Sequence, residues 1–109
     1  MLRIYQVLLQ AIRDLRPFIR QLEDRDADLA RQCKRALASG ALNLAEGSYS
    51  RGKNRAARYH TALGSVREAQ ACFEVGAALG YLGDLDRDLA EKLDQILGTL
   101  VRLAIGPRR

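Results

Sequence analysis

Two pairs of polar residues sit inside otherwise small and apolar sequence: Asn43 with Glu46, and Ser65 with Glu68. Each pair is three residues apart, so on a helix its members share a face. Gly47 follows the first pair and Gly64 precedes the second. From Glu46 to Glu68 no acidic residue intervenes, whereas Arg51, Lys53, Arg55, Arg58 and Arg67 all fall there. Two kinds of chemistry are open to such residues: hydrogen bonding that fixes one helix against another, and electrostatic contact with phosphate. For Asn43, Glu46, Ser65 and Glu68 a buried or interfacial hydrogen-bond cluster is the preferred reading over direct ligand contact. Buried carboxylates need partners, and Arg side chains are close by. Antiparallel pairing across the turn at Arg51 is expected to bring the two sets level. Arg51, Lys53, Arg55 and Arg58 fall in a turn and the first turns of a helix, at the positive end of its dipole, where cations cost some stability. Free N–H groups beside Arg also make phosphate sites. A solvated basic turn is the alternative.

Catalytic constellations cannot be filled. "SYSRGKNR" has a Gly before Lys, but it lacks the spaced first Gly and the Ser/Thr after Lys of a phosphate-binding loop. A di-iron bundle needs two Glu-x-x-His elements, and His60 is the only histidine. Ser65 and His60, five apart, point to different faces and form no dyad. Cys33 and Cys72 lie far apart in the chain, with no CxxC spacing, and read as reduced core cysteines. The chain is therefore expected to be non-enzymatic, with no metal and no cofactor.

The elements that position these residues are legible from apolar periodicity. Ile4, Leu8, Ala11, Leu15, Phe18 and Leu22 recur at spacings of four and three, with Ile12 and Ile19 widening the stripe. Pro17 falls inside that segment and predicts a kink or break. "EDRDAD" reads as the following turn, with Asp26 or Asp28 as N-cap. A second segment runs through Ala30, Cys33, Leu37, Gly40 and Leu44, and is expected to stop at a left-handed Gly47, with Ser48, Ser50 and Gly52 in the turn. The third carries Tyr59, Ala62, Val66, Ala69, Phe73 and Gly76, and ends near Gly80. Asp84 or Asp86 then caps a fourth, with Leu85, Leu89, Leu93, Ile96, Leu100 and Leu103 on one stripe and a basic "PRR" tail behind it. With no period-two run, the fold class is all-α: one domain, an antiparallel up-and-down four-helix bundle.

The formal charge of +5 and a pI near 9.7 favour an anionic partner, RNA or DNA among them. "GDLDRDLAEKLD" is acidic, whereas the Arg51 turn and the first helix (Arg3, Arg13, Arg16, Arg20) are basic, so the bundle is expected to be polarised end to end. The N-terminal segment carries Arg3, Arg13 and Asp14 and lacks the features of a secretory signal. No run of about 18 uncharged apolar residues occurs, so no membrane role and a cytoplasmic location are expected.

At Asn43 to Gly47 ("NLAEG"), Arg51, Ala62 with Gly64, Ser65 and Glu68, and "LGYL" at Leu79 to Leu82, the chain resembles the four-helix-bundle proteins encoded in intervening sequences of bacterial 23S rRNA genes. The resemblance covers about Leu29 to Leu82. The chain departs from that pattern in having "SGAL" where a proline is common, and arginines where the third helix usually starts with acidic and aromatic residues. The resemblance implies a homo-oligomer, a pentameric ring, with a basic surface and a nucleic-acid partner. A related basic pentamer, the accessory protein of diversity-generating retroelements, binds a reverse transcriptase and nucleic acid. "YSRGKNRA" fits either group, so a reverse-transcriptase subunit is one alternative and a self-assembling structural protein without a nucleic-acid role is another.

Overall fold

Apolar spacing places one continuous stripe of each helix in a common core. The computed structural model describes residues 2–106, which form α1 (Arg3–Arg25), α2 (Ala27–Tyr49), α3 (Gly52–Ala78) and α4 (Arg87–Ile105). Each helix packs on its neighbour in the chain and α1 closes against α4. This is the antiparallel up-and-down bundle that the periodicity predicts. Its long dimension is 42 Å, close to the length of about 40 Å that the 27 residues of α3 span at the α-helical rise.

Leu8, Leu15 and Leu22 of α1, Leu44 of α2, Val66 of α3, and Leu93, Ile96 and Leu100 of α4 are fully buried. In α1 the buried stripe takes Ile19 where the spacing had put Phe18, which is half-buried, as is Ile4 near the helix start. Leu85 and Leu103 are likewise half-buried at the ends of the last stripe. The core is built from Leu and Ala, and its aromatic residues are Tyr59 and Phe73. Small side chains therefore set the spacing of α2 and α3, the most closely packed pair.

Three sequence expectations about helix ends are corrected. The helix α1 continues through Pro17 without a break. Pro17 and Arg13 are both exposed, so the Arg13 carbonyl that loses its intrahelical donor faces water. The acidic turn shrinks to one residue: Asp26 ends α1 and caps α2, its carboxylate accepting from the Leu29 N–H at 3.0 Å. Asp86 does the same for α4 with the Leu89 N–H at 2.9 Å. Each such cap is worth about 1 kcal/mol. Gly47 is not a left-handed terminator. It is helical and buried, and α2 runs on to Tyr49, leaving Ser50 and Arg51 as the connection to α3. Positive φ is found instead at Gly52, the first residue of α3, with φ 57°, and at the other end of that helix, where Gly80 has φ 77°. There Tyr81 N–H donates to Gly76 O at 2.8 Å and Gly80 N–H to Ala77 O at 3.0 Å, closing the helix with a Schellman motif. Pro107, Arg108 and Arg109, the basic tail, lie outside the described residues.

Candidate nucleic-acid interface

The short connection between α2 and α3 makes them antiparallel neighbours, and their close approaches set which residues fall level. Gly40 faces Val66, and Gly47 faces the ring of Tyr59 so closely that a methyl group on Gly47 would sit 2.5 Å from Cε1. The polar residues follow the same register. Ser39 and Ser65 hydroxyls share a hydrogen bond of 2.8 Å, and Asn43 Nδ2 donates to Ser39 O at 2.9 Å and Ser39 Oγ at 3.2 Å. The Arg58 guanidinium donates to Asn43 Oδ1 at 3.2 Å. A polar ladder thus runs Ser65, Ser39, Asn43, Arg58 along the outer seam of α2 and α3.

That arrangement brings Asn43 and Ser65 into one network but leaves out the two carboxylates. Asn43 and Ser65 are not level with each other. Ser65 pairs with Ser39, one helical turn before Asn43. Glu46 and Glu68 are exposed, and among the described residues neither carboxylate makes an ion pair or a hydrogen bond. Glu68 instead lines an open depression of about 300 Å³ with Gln32, Arg35, Ser39 and Ser65. Gly47 belongs to the core, whereas Gly64 faces outward with no atom within 4 Å of where a methyl would project. Ser39 is the member of the network that the sequence reading missed, although its position four residues before Asn43 places it on the same face.

The basic run gathers at one tip of the bundle. Arg51 is the N-cap of α3 without a side-chain cap, and no acidic residue occupies the first turn. Arg51, Lys53, Arg55 and Arg58 are all exposed. The ion pairs of the described residues, Arg31–Asp28, Lys34–Glu23, Arg87–Glu91 and Lys92–Asp14, all lie elsewhere. Two of the four cations are nevertheless held: Arg55 Nε donates to Ser50 O at 2.8 Å, and Arg58 is tied to Asn43. Ser50 is in turn anchored by its hydroxyl to Glu46 O at 2.9 Å. The up-and-down topology puts Arg3 at this same end, and Asp84, Asp86 and Asp88 at the far one. The side chains at the tip therefore present positive charge with little local neutralisation, apart from Glu46 at the end of α2. Such a surface attracts polyanions at long range.

Cys33 and Cys72 fall level across α2 and α3, both buried and both free thiols. Burial pushes the Cys33 thiol up from 9.0 to about 12, and the neighbouring Cys72 adds to the rise. Cys72 is raised as well, by its own burial and then by the Glu68 charge. The neutral thiol is favoured in the fold. The stability it contributes is therefore complete below about pH 9 and is lost as pH climbs toward 12. We expect native protein at pH 8 to resist iodoacetamide at both positions and to react rapidly once unfolded in urea, read by mass spectrometry. Prompt alkylation of the native chain would mean that the α2–α3 seam opens. Among the described residues no group of three or more His, Cys, Asp or Glu could hold a metal ion, and no helix is long and apolar enough to cross a membrane. In comparison with known proteins, the chain matches no family model, no curated protein and no solved structure.

Proposed function

We propose that this chain is a non-enzymatic, cytoplasmic bundle of the kind encoded in 23S rRNA intervening sequences, that it assembles into a homo-oligomer, a pentamer by that resemblance, and that it binds nucleic acid electrostatically. The observation that carries the binding half is the tip of α2 and α3. Four exposed cations stand there without an acidic partner among the described residues, on a chain of net charge +5. Arg51, Lys53, Arg55 and Arg58 contact phosphates, while Asn43 and Ser65 hold the helices in register. Binding of this type releases counterions, weakens steeply with salt and shows little sequence preference.

Self-association has its own support. Gly64 leaves an uncovered helix surface on α3, and Leu42, Val75 and Leu79 stand exposed at 64%, 47% and 55%. Light scattering on the native protein, with and without a mixed RNA pool, tests both halves. The expected mass is a multiple of 12.1 kDa that rises further with RNA at low salt and falls back at high salt. A mass of one chain would remove the oligomer, and no change with RNA at low salt would remove the nucleic-acid role.

A further inference from the structure

The chain has four tyrosines, and three of them have a packing partner among the described residues. Tyr59 is buried in the core, Tyr5 is packed against it, and Tyr81 lies under the Arg25 guanidinium, 5.6 Å from the ring centroid. Tyr49 stands 76% exposed as the last residue of α2, between the polar ladder and Arg51. An aromatic ring left in water forgoes the burial that the other three obtain. Its neighbours in the chain and across the turn are the unneutralised cations of the tip, Arg51 and Lys53, with Arg55 and Arg58 held by Ser50 and Asn43.

We infer that Tyr49 is a stacking platform for an unpaired base, so that the α2–α3 tip takes single-stranded nucleic acid in preference to duplex. This rests on the nucleic-acid reading above and adds the form of the strand. Cations alone would not favour the single strand, because both forms carry phosphate and duplex carries it at the higher charge density. The ring supplies the choice. Duplex bases are stacked on one another and offer no free face to a convex tip, whereas a single strand can lay a base on the ring while its phosphates meet the arginines. Stacking of this kind tolerates any base, so the preference is for strandedness and not for sequence.

The test measures anisotropy of a labelled single strand of mixed sequence and of the matching duplex at about 50 mM salt. It compares the natural chain with Tyr49→Phe, which keeps the ring, and Tyr49→Leu, which keeps apolar bulk without it. Single strand is expected to bind more tightly than duplex, Tyr49→Phe to bind as the natural chain, and Tyr49→Leu to lose about tenfold with an unchanged salt slope. Equal affinity for both forms, or a Tyr49→Leu chain that binds undiminished, overturns the inference while leaving the electrostatic reading standing. A Tyr49→Leu chain of smaller native mass assigns the ring to a subunit contact and overturns it too. Failure of the natural chain to bind either form at low salt overturns the electrostatic reading itself, and this inference with it.

Discussion

Gly47→Ala lowers the stability of the bundle by about 1–2 kcal/mol, the overpacking cost remaining after a helix-propensity gain of up to about 1 kcal/mol. The new methyl would lie 2.5 Å from Tyr59 Cε1 and 2.7 Å from Cδ1. The ring it meets is only 4% exposed and therefore has no open side to move into. Relief requires the last turn of α2 to unwind or the helices to part, and either loses packing at the α2–α3 seam. Gly40 is a milder case, because its methyl would meet Val66 Cγ2 at 2.9 Å, one methyl of a small side chain. Gly64→Ala carries the opposite sign. Nothing lies within 4 Å of the added methyl, so alanine stabilises the isolated chain by about 0.5–1 kcal/mol through backbone entropy. Urea midpoints of the two variants separate these outcomes. A Gly47→Ala chain as stable as the natural one would mean that α2 and α3 do not approach in this register. A Gly64→Ala chain that unfolds later but assembles less would assign that bare surface to a subunit contact.

The glycines show where sequence reading succeeds and where it stops. Period alone placed Gly40, Leu44, Tyr59 and Val66 on facing stripes, because burial demands one apolar face per helix. It could not say that Gly47 lies within a helix, since a glycine suits both a helix end and a close helix crossing. The helix runs on past Gly47 with two carbonyls of its last turn met by Ser50, whose hydroxyl donates to Glu46 O at 2.9 Å and whose N–H donates to Gly47 O at 3.2 Å. Of the kink or break that Pro17 predicts, α1 shows no break, since on the exposed face the carbonyl that the proline orphans can turn to water. The polar pairs illustrate angular resolution. Residues three apart differ by about 60° around the axis. That suffices to put Asn43 and Ser65 at the seam and Glu46 and Glu68 in solvent. Tyr49 lies off the apolar stripe that carries Tyr59, and its 76% exposure is what the structure adds.

Replacing Arg51, Lys53, Arg55 and Arg58 together with glutamine removes most of the salt dependence contributed by the tip. Each phosphate contact on a single strand adds about 0.7 to the slope of log affinity against log salt, so four contribute about 2.8. Between about 50 and 200 mM salt that amounts to roughly a fifty-fold loss in the natural chain that the quadruple variant does not show. At low salt the variant binds correspondingly more weakly. Arg51 and Lys53, which carry no side-chain bond among the described residues, are expected to account for more of the loss per residue than Arg55, already engaged with Ser50. Loss of fold cannot mimic this result. All four side chains are exposed, and they crowd the positive end of α3, so removing them relieves an unfavourable interaction with the helix dipole. Among the described residues the variant gives up two exposed side-chain bonds, Arg58 to Asn43 at 3.2 Å and Arg55 to Ser50 O at 2.8 Å. The variant should therefore melt no earlier than the natural chain while binding far less. An unchanged affinity and slope would move the interface away from the tip, with the arginines of α1, Arg16 and Arg20, which flank an apolar groove with Lys34, as the next charges to neutralise.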